Sequence, residues 1–150
     1  MEIFVDADAC PVKEEVYRVA RRYGLKVRIV ANAFIAIPAD PLIERVFVGP
    51  GPDKADDWIA DHAGTGDVVI TADIPLAQRA LAAGAAAISP TGRAFTANSI
   101  GAAMASRAIA EHIRSTGGLT GGPAPFRPAD RSLFLQALDE AIQRGRRRGR

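Results

Sequence analysis

Short apolar runs alternate with helical patterns over most of the chain, and this alternation constrains the fold more than any other feature. Strand-like runs occur at about residues 2–6, 26–31, 45–48, 67–71 and 85–88. Helical patterns lie between several of them, at about residues 11–23, 53–63 and 74–83. Such alternation is typical of a sheet whose parallel strands are connected by helices. The sequence therefore predicts an α/β fold around a central, mostly parallel sheet of about five strands.

The pattern changes beyond residue 90, where two additional C-terminal helices are predicted. The first spans Asn98–Arg114, and the second begins near Asp130, which we expect to cap it. The glycine-rich segment 117–123 between them predicts a loop that serves either as a lid or as a plain linker. The second helix presents one apolar stripe: Leu133, Phe134, Ala137, Leu138, Ala141 and Ile142.

The positive charge is concentrated at the C-terminus. The length of 150 residues suits one domain with a real core, which we expect to span residues 1–143. Five arginines lie in the last seven residues, and without them the net charge of +2 becomes −3. The folded part therefore lacks the net positive charge of a typical nucleic-acid-binding domain. Residues 144–150 are predicted to be a disordered tail, with nonspecific phosphate binding as the alternative.

The N-terminus and the cysteine content bear on location. Residues 1–10 are acidic and no long apolar segment follows, so we expect neither a signal peptide nor a membrane span. The single cysteine, Cys10, excludes an intrachain disulfide and a thiolate cluster for zinc. A cytoplasmic location is the resulting expectation.

Aspartates recur where the predicted strands end. Asp6 and Asp8 follow the first strand, Asp56 lies on the helix after the third, and Asp73 follows the fourth. The carboxyl ends of parallel strands share one edge of the sheet, so these acids are expected to converge, especially if the first and fourth strands are neighbours. Hard divalent cations prefer oxygen ligands, and the cluster therefore predicts a site for Mg²⁺ or Mn²⁺. Such an ion activates water and neutralises charge on an attacked phosphodiester.

Each acid also has a structural alternative. Asp8 can organise the turn into the next helix, and Asp56 and Asp73 can cap helices. Asp53 is expected to be an N-cap rather than a ligand. Asp6 has the weakest structural alternative, because it directly ends a buried strand.

Four further residues are candidates for substrate binding. Thr71 can position a ligand or a water molecule from the same edge, although threonine is common in strands. Lys54, Arg93 and Arg131 can bind phosphate, although exposed basic side chains commonly have no such function. These four residues complete the predicted site.

Several blocks of the chain carry a distinctive pattern: Val5–Val12, Val30–Asn32, Gly66–Ala77, Gly121–Pro123, and Asp130–Arg131 with Phe134. These blocks resemble the signature of one bacterial family, the YaiI/YqxD family. The resemblance extends over nearly the whole chain apart from the arginine tail. That family is similar to PIN-like domains, whose acidic edge binds Mg²⁺ or Mn²⁺ and cleaves RNA or other nucleic acid in many members.

The resemblance implies a three-layer PIN-like fold and assigns roles by position. Asp6, Asp56 and Asp73 resemble the acids of the PIN site, and Thr71 resembles the hydroxyl residue that often accompanies them. Asp8 belongs to the YaiI/YqxD pattern rather than to the PIN pattern. The implied function is a nuclease that depends on Mg²⁺ or Mn²⁺ and acts on RNA or other single-stranded nucleic acid.

Two other functions stay open. The run Asp6-Ala7-Asp8 also resembles the first motif of haloacid-dehalogenase-type phosphatases, in which Asp6 would be phosphorylated and Asp8 would be the acid/base. Such enzymes need a later basic residue, yet every lysine of this chain precedes Thr71, so the nuclease is favoured. The third possibility is a nucleic-acid-binding or protein-binding module without turnover.

Overall fold

The sheet has five strands, and all of its pairings are parallel. The computed structural model describes residues 1–51, 53–101 and 126–148. The strands are β1 (Glu2–Asp6), β2 (Lys26–Ala31), β3 (Ile43–Phe47), β4 (Val68–Ile70) and β5 (Ala86–Ile88). Each strand lies within two residues of a predicted one, so the α/β class and the number of strands are confirmed.

Helices connect most of the strands: α1 (Lys13–Tyr23) follows β1, α2 (Lys54–His62) follows β3, and α3 (Ile74–Ala82) follows β4. A C-terminal helix (Pro128–Arg148) comes after β5. A single 3-10 turn, Ala7–Ala9, leads from β1 toward α1. Residues 97–101 are helical, whereas the rest of the predicted helix to Arg114 and the glycine-rich segment 117–123 lie outside the described residues. No helix in the described ranges is long and apolar enough to cross a membrane.

The strands bury apolar side chains on both faces of the sheet. Ile3 and Val5 of β1 belong to a core with α1 and the C-terminal helix. Phe4, between them in sequence, packs in a second core that contains Ile59 of α2 and Leu76 of α3. Side chains alternate between the faces of a strand, so a run that is apolar throughout needs helices on both sides. The result is the three-layer architecture that the family resemblance implied.

The order of the strands places β1 beside β4. From one edge to the other the order is β3-β2-β1-β4-β5, so the chain extends in one direction from β1 and then resumes on its other side. Val5 pairs with Ile70, which brings the carboxyl ends of these two strands together. Ligands of such sheets bind at this kind of reversal. The fold therefore directs attention to Asp6 and to the residues after β4.

The C-terminal helix differs from its prediction at both ends. Asp130 lies inside the first turn, and its Oδ2 accepts a hydrogen bond from the backbone N–H of Arg127 at 2.8 Å. At the other end the helix covers residues 144–148, which were predicted to be disordered. Arg146 donates to the carbonyl oxygen of Tyr23 at 2.9 Å and lies 4.7 Å above its ring. These contacts hold the last turns of the helix against α1.

We expect Gly92→Ala to lower the free energy of unfolding by about 3 kcal/mol. Gly92, in the turn after β5, has a φ of +88°, and a Cβ atom there would lie 2.5 Å from the carbonyl carbon of Leu133. The substitution would therefore strain the turn and displace the C-terminal helix. Urea unfolding of the variant measures the loss. Gly64→Ala is the control, because a Cβ atom at Gly64 meets nothing within 4 Å; equal losses would contradict the prediction.

Candidate functional site

Neighbouring strand ends bring Asp6, Thr71 and Asp73 together. The hydroxyl of Thr71 donates a hydrogen bond to Oδ2 of Asp6 at 2.8 Å. The same oxygen of Thr71 accepts one from the backbone N–H of Asp73 at 2.9 Å. The side chain of Thr71 is enclosed, since the residue is only 1% exposed. Thr71 therefore links Asp6, at the end of β1, to Asp73, the first charged residue after β4.

Asp73 is the N-cap of α3. Its Oδ1 accepts a hydrogen bond from the backbone N–H of Leu76 at 2.9 Å, as the structural alternative for this residue predicted. Its second oxygen has no hydrogen-bond partner in the described part of the chain. The cap therefore fixes the carboxylate in place and leaves one oxygen available to a ligand.

Asp56 lies in the first turn of α2 and shares the electrostatic environment of the other acids. Its pKa is raised from 3.8 to about 6, mainly by burial and then by the charges of Asp73 and Asp6. Burial also raises the pKa of Asp6, with smaller contributions from Asp73 and Asp8, while the hydrogen bond from Thr71 opposes the increase. The fold thus gathers these acids although their charges repel one another.

Asp8 binds the backbone at the end of β2. Both of its carboxylate oxygens accept from the N–H of Asn32, at 3.2 and 3.0 Å. The side-chain oxygen of Asn32 is buried and has no hydrogen-bond partner among the described residues. We did not single out Asn32 from the sequence, and the only signal was its position in the block Val30–Asn32. Asp8 therefore has a structural contact in addition to its place beside Asp6.

Asp53 is not the cap that we expected. It occupies the residue before α2, but its side chain makes no capping hydrogen bond, and its φ is +67°. An N-cap normally has extended backbone, which aims its side chain at the free N–H groups of the helix. A left-handed aspartate does not meet that requirement and stores strain. The charge of Asp53 contributes instead to the raised pKa of Asp56.

The acids of the site have neutral hydrogen-bond partners. Asp6, Asp8 and Asp73 receive hydrogen bonds from a hydroxyl or from backbone N–H groups. Within the described ranges none of them, nor Asp56, forms a salt bridge with lysine or arginine. Elsewhere acids do form such pairs, among them Glu15–Arg131, Asp40–Arg21, Asp57–Arg79 and Glu44–Arg28. The negative charge of the cluster is therefore left without a paired cation in the described residues.

The donor atoms of the cluster are of the type that a hard divalent cation prefers, but the carboxylates lie too far apart to bind one ion in their present positions. All of them are carboxylate, hydroxyl or amide oxygens, the type that Mg²⁺ and Mn²⁺ prefer. In residues 1–51, 53–101 and 126–148, however, no three acidic, histidine or cysteine side chains stand close enough to hold one ion. Side-chain rotation would have to draw Asp6, Asp56 and Asp73 together around an ion.

The three predicted phosphate-binding residues lie at different places. Lys54 is the exposed first residue of α2, two residues before Asp56 in sequence. Arg93 is exposed in the turn after β5, two strands away from β1. Arg131 lies in the other helical layer, where its guanidinium pairs with the buried Glu15 at 2.9 Å. Of the three, Lys54 is the one on the same helix as a clustered acid.

Comparison with known proteins gives the family. A family model described as "Uncharacterized BCR, YaiI/YqxD family" matches residues 4–144. The chain belongs to the YaiI/YqxD family. Three "UPF0178" relatives are similar over nearly their whole length. The Caulobacter sp. (strain K31) protein is 61% identical over 145 residues, covering 97% of this chain and 96% of its own. No solved structure gives a significant match.

The other two relatives give the same result. The protein from Rhodopseudomonas palustris (strain TIE-1) is 60% identical over 146 residues, covering 97% of this chain and 92% of its own. The one from Caulobacter vibrioides (strain NA1000 / CB15N) is 57% identical over 145 residues, covering 97% and 95%. In this YaiI/YqxD protein the blocks Val5–Val12, Val30–Asn32 and Gly66–Ala77 meet at the carboxyl edge of the sheet. The residues that carry the family resemblance therefore surround the acid cluster.

We expect Asp56→Asn to raise the free energy of unfolding in EDTA at about pH 8. The folded protein holds the proton of Asp56 up to about pH 6, whereas an unfolded chain releases it near 3.8. The charged form therefore costs stability above about pH 6, and the gain from a neutral amide disappears as the pH falls below about 4. Because water screens this partly buried group, the gain is about 1 kcal/mol. Urea unfolding at several pH values measures it.

Asp57→Asn is the matched control for this prediction. Asp57 is the next residue on α2, but it is exposed and pairs with Arg79 at 2.8 Å. Its amide variant should be neutral or slightly less stable at about pH 8. Equal stabilisation by the two substitutions, or a gain from Asp56→Asn that persists at low pH, would contradict the assignment.

Proposed function

We propose that this protein is a divalent-cation-dependent phosphodiesterase that cleaves RNA or other single-stranded nucleic acid. The observation that carries the proposal is the acid cluster itself. The charges of Asp6 and Asp73 raise the pKa of Asp56, the charge of Asp73 raises that of Asp6, and none of the three pairs with a described lysine or arginine, although their side chains would have to rotate to meet at one ion. Clustered, partly buried carboxylates of this kind are typical of functional sites and are stabilised by a cation.

The residues have separate roles in this proposal. Asp6, Asp56 and Asp73 would hold Mg²⁺ or Mn²⁺, and Asp8 would be a further ligand or would orient the attacking water. When bound, the ion lowers the pKa of water and offsets the charge of the attacked phosphodiester. Thr71 is a positioning residue, because its hydroxyl holds the carboxylate of Asp6.

The substrate must approach a site whose own charge is negative. Lys54 is the first candidate to contact a substrate phosphate, since it is exposed and begins the helix that carries Asp56. Arg93 is the second candidate, in the turn after β5. Arg131 is less suited to this role, because its guanidinium already pairs with Glu15. A bound cation and these local positive charges would together offset the net negative charge of the folded part.

We expect the purified protein to cleave labelled single-stranded RNA with Mg²⁺ or Mn²⁺ and to lose this activity in EDTA. Asp6→Asn and Asp73→Asn should each slow cleavage at least about a hundredfold, more than the loss of a residue that only orients a ligand. Asparagine keeps the shape of aspartate and still caps a helix, so both variants should fold. The rate of product formation measures the effect.

Glu140→Gln is the control for these two variants. Glu140 is exposed on the C-terminal helix, which packs on the opposite face of the sheet from α2 and α3. Cleavage that persists in EDTA, or that is equal in the three variants, would refute the proposal. Hydrolysis of p-nitrophenyl phosphate alone would favour the phosphatase. Cation binding with no hydrolysis of either substrate would favour the binding module.

We expect Thr71→Val to reduce both Mn²⁺ affinity and the cleavage rate by roughly 10- to 100-fold. Valine preserves the buried shape but removes the hydroxyl that donates to Asp6 and accepts from Asp73. Thr71→Ser keeps the hydroxyl and is the matched control. Titration calorimetry with Mn²⁺ gives the affinity independently of activity. Valine and serine variants that behave alike would show that the hydroxyl is not required.

A further inference from the structure

Two of the most exposed large apolar side chains of the described residues lie at one edge of the sheet. Phe34, in the segment after β2, is 71% exposed, and Phe47, the last residue of β3, is 57% exposed. The guanidinium carbon of Arg45 lies 4.0 Å from the centre of the Phe34 ring. We call these three residues the aromatic strip. Exposed aromatic side chains that are grouped in this way commonly mark an interaction surface.

The aromatic strip follows one face of the edge strand β3. Arg45 and Phe47 are two residues apart on that strand, so their side chains leave the same face of the sheet. In register they pair with Ile29 and Ala31, whose side chains are in the core beneath α1. No described strand pairs with the outer edge of β3. The strip is therefore a continuous surface at the border of the fold.

The strip is close to the acid cluster. Asp6 pairs with Val30, and Val30 pairs with Val46, so two strand spacings separate Asp6 from the residue before Phe47. At about 4.8 Å for each spacing, the backbone of Phe47 lies about 10 Å from that of Asp6. Phe34 is also tied to the cluster, because it follows by two residues the Asn32 whose N–H binds Asp8. Phe4 packs against α2 and α3, so the side chain of Asp6, two residues further along β1, leaves the opposite face of the sheet from Arg45 and Phe47. A ligand on the strip therefore reaches the acids by crossing the carboxyl edge of the sheet.

Two cations, Arg45 and Lys54, lie in or beside the strip, although the acids Asp57 and Asp61 line the same surface hollow as Phe47 and Lys54. Neither Arg45 nor Lys54 forms a salt bridge within the described ranges, although Lys26 and Arg28 on the neighbouring strand both pair with Glu44. Arg45 instead donates to the carbonyl oxygen of Ile35 at 3.3 Å and covers the Phe34 ring. A single-stranded nucleic acid offers both partners that such a surface needs, free base planes for the rings and phosphates for the cations. A duplex is less suited to this surface, because its bases are already stacked on each other.

We propose that Phe34 and Phe47 stack on bases of a single-stranded nucleic acid, with Arg45 contacting its backbone, and so hold the strand beside Asp6. The inference deepens the proposed function, since it assigns a binding surface to the same substrate. Binding to the strip does not itself require cleavage or a cation. The two ideas can therefore fail separately.

The test is the affinity for a short fluorescein-labelled oligouridylate, measured by anisotropy in EDTA with the full-length protein. Loss of one stacked base is expected to weaken binding by about 5- to 100-fold, so Phe34→Ala and Phe47→Ala should each have this effect. Leu133→Ala is the matched control, because Leu133 is 53% exposed but lies on the C-terminal helix. An abasic oligomer of the same length should bind the wild type and these variants alike, since it offers no base to stack. All proteins keep the arginine-rich end, so its contribution cancels.

Several results would overturn the proposal. The proposal is wrong if the wild type does not bind the oligouridylate. It is also wrong if Phe34→Ala and Phe47→Ala bind it as tightly as Leu133→Ala does. An equal loss of affinity for the abasic oligomer would exclude stacking. A dimer that both substitutions convert to a monomer, with oligouridylate binding unchanged, would assign the strip to contact between copies of the chain.

Cleavage of the same oligouridylate at saturating protein separates this inference from the proposed function. If the phenylalanine variants lose affinity but the wild type does not cleave with Mg²⁺ or Mn²⁺, the strip stands and the nuclease proposal fails. If the wild type cleaves and the variants bind normally, the nuclease proposal stands and the strip is wrong.

Discussion

The parallel pairing of β1 with β4 is the constraint on which the candidate site depends. It places Asp6 beside Thr71, and the Thr71 hydroxyl then joins the Asp6 carboxylate to the backbone of Asp73. Asp73 in turn begins α3, so the direction of that helix and the position of both carboxylates are set together. Without this pairing, Asp6 and Asp73, which are separated by almost half of the chain, would have no reason to meet.

The position of the acids at a strand edge could be predicted from the sequence because it depends on local signals. A strand that is apolar on both faces must be buried, and in a parallel sheet the polar residue that follows it emerges at the carboxyl edge. Asp6 and Asp73 satisfy this rule directly. Asp56 does not follow a strand, and its place in the cluster depends on how α2 packs across β1 and β2. It was expected in the cluster because the helix after the third strand begins at the same edge of the sheet, and the family resemblance assigned it the same place.

Other features could not be predicted because they depend on contacts between distant segments or on backbone strain. Arg131 was a candidate for phosphate binding, yet it pairs with Glu15 on α1, and nothing in either local sequence indicates that partner. Likewise, the last helical turns are held by the contact of Arg146 with Tyr23, whereas composition alone indicated disorder. Asp53 has the residue type of an N-cap but a left-handed backbone that prevents capping.

The way the fold holds its clustered acids is what the proposed cation site requires, and it also makes the cluster costly in folding free energy. A salt bridge to arginine would fix a carboxylate equally well, but it would neutralise the charge that a metal ion needs. The hydroxyl of Thr71 and the backbone N–H groups of Asn32 and Leu76 fix the carboxylates without adding a positive charge. The buried side-chain oxygen of Asn32, which has no donor among the described residues, adds one more acceptor. Restraint by neutral donors, with no paired lysine or arginine in the described ranges, leaves the negative potential of the cluster available to the proposed cation.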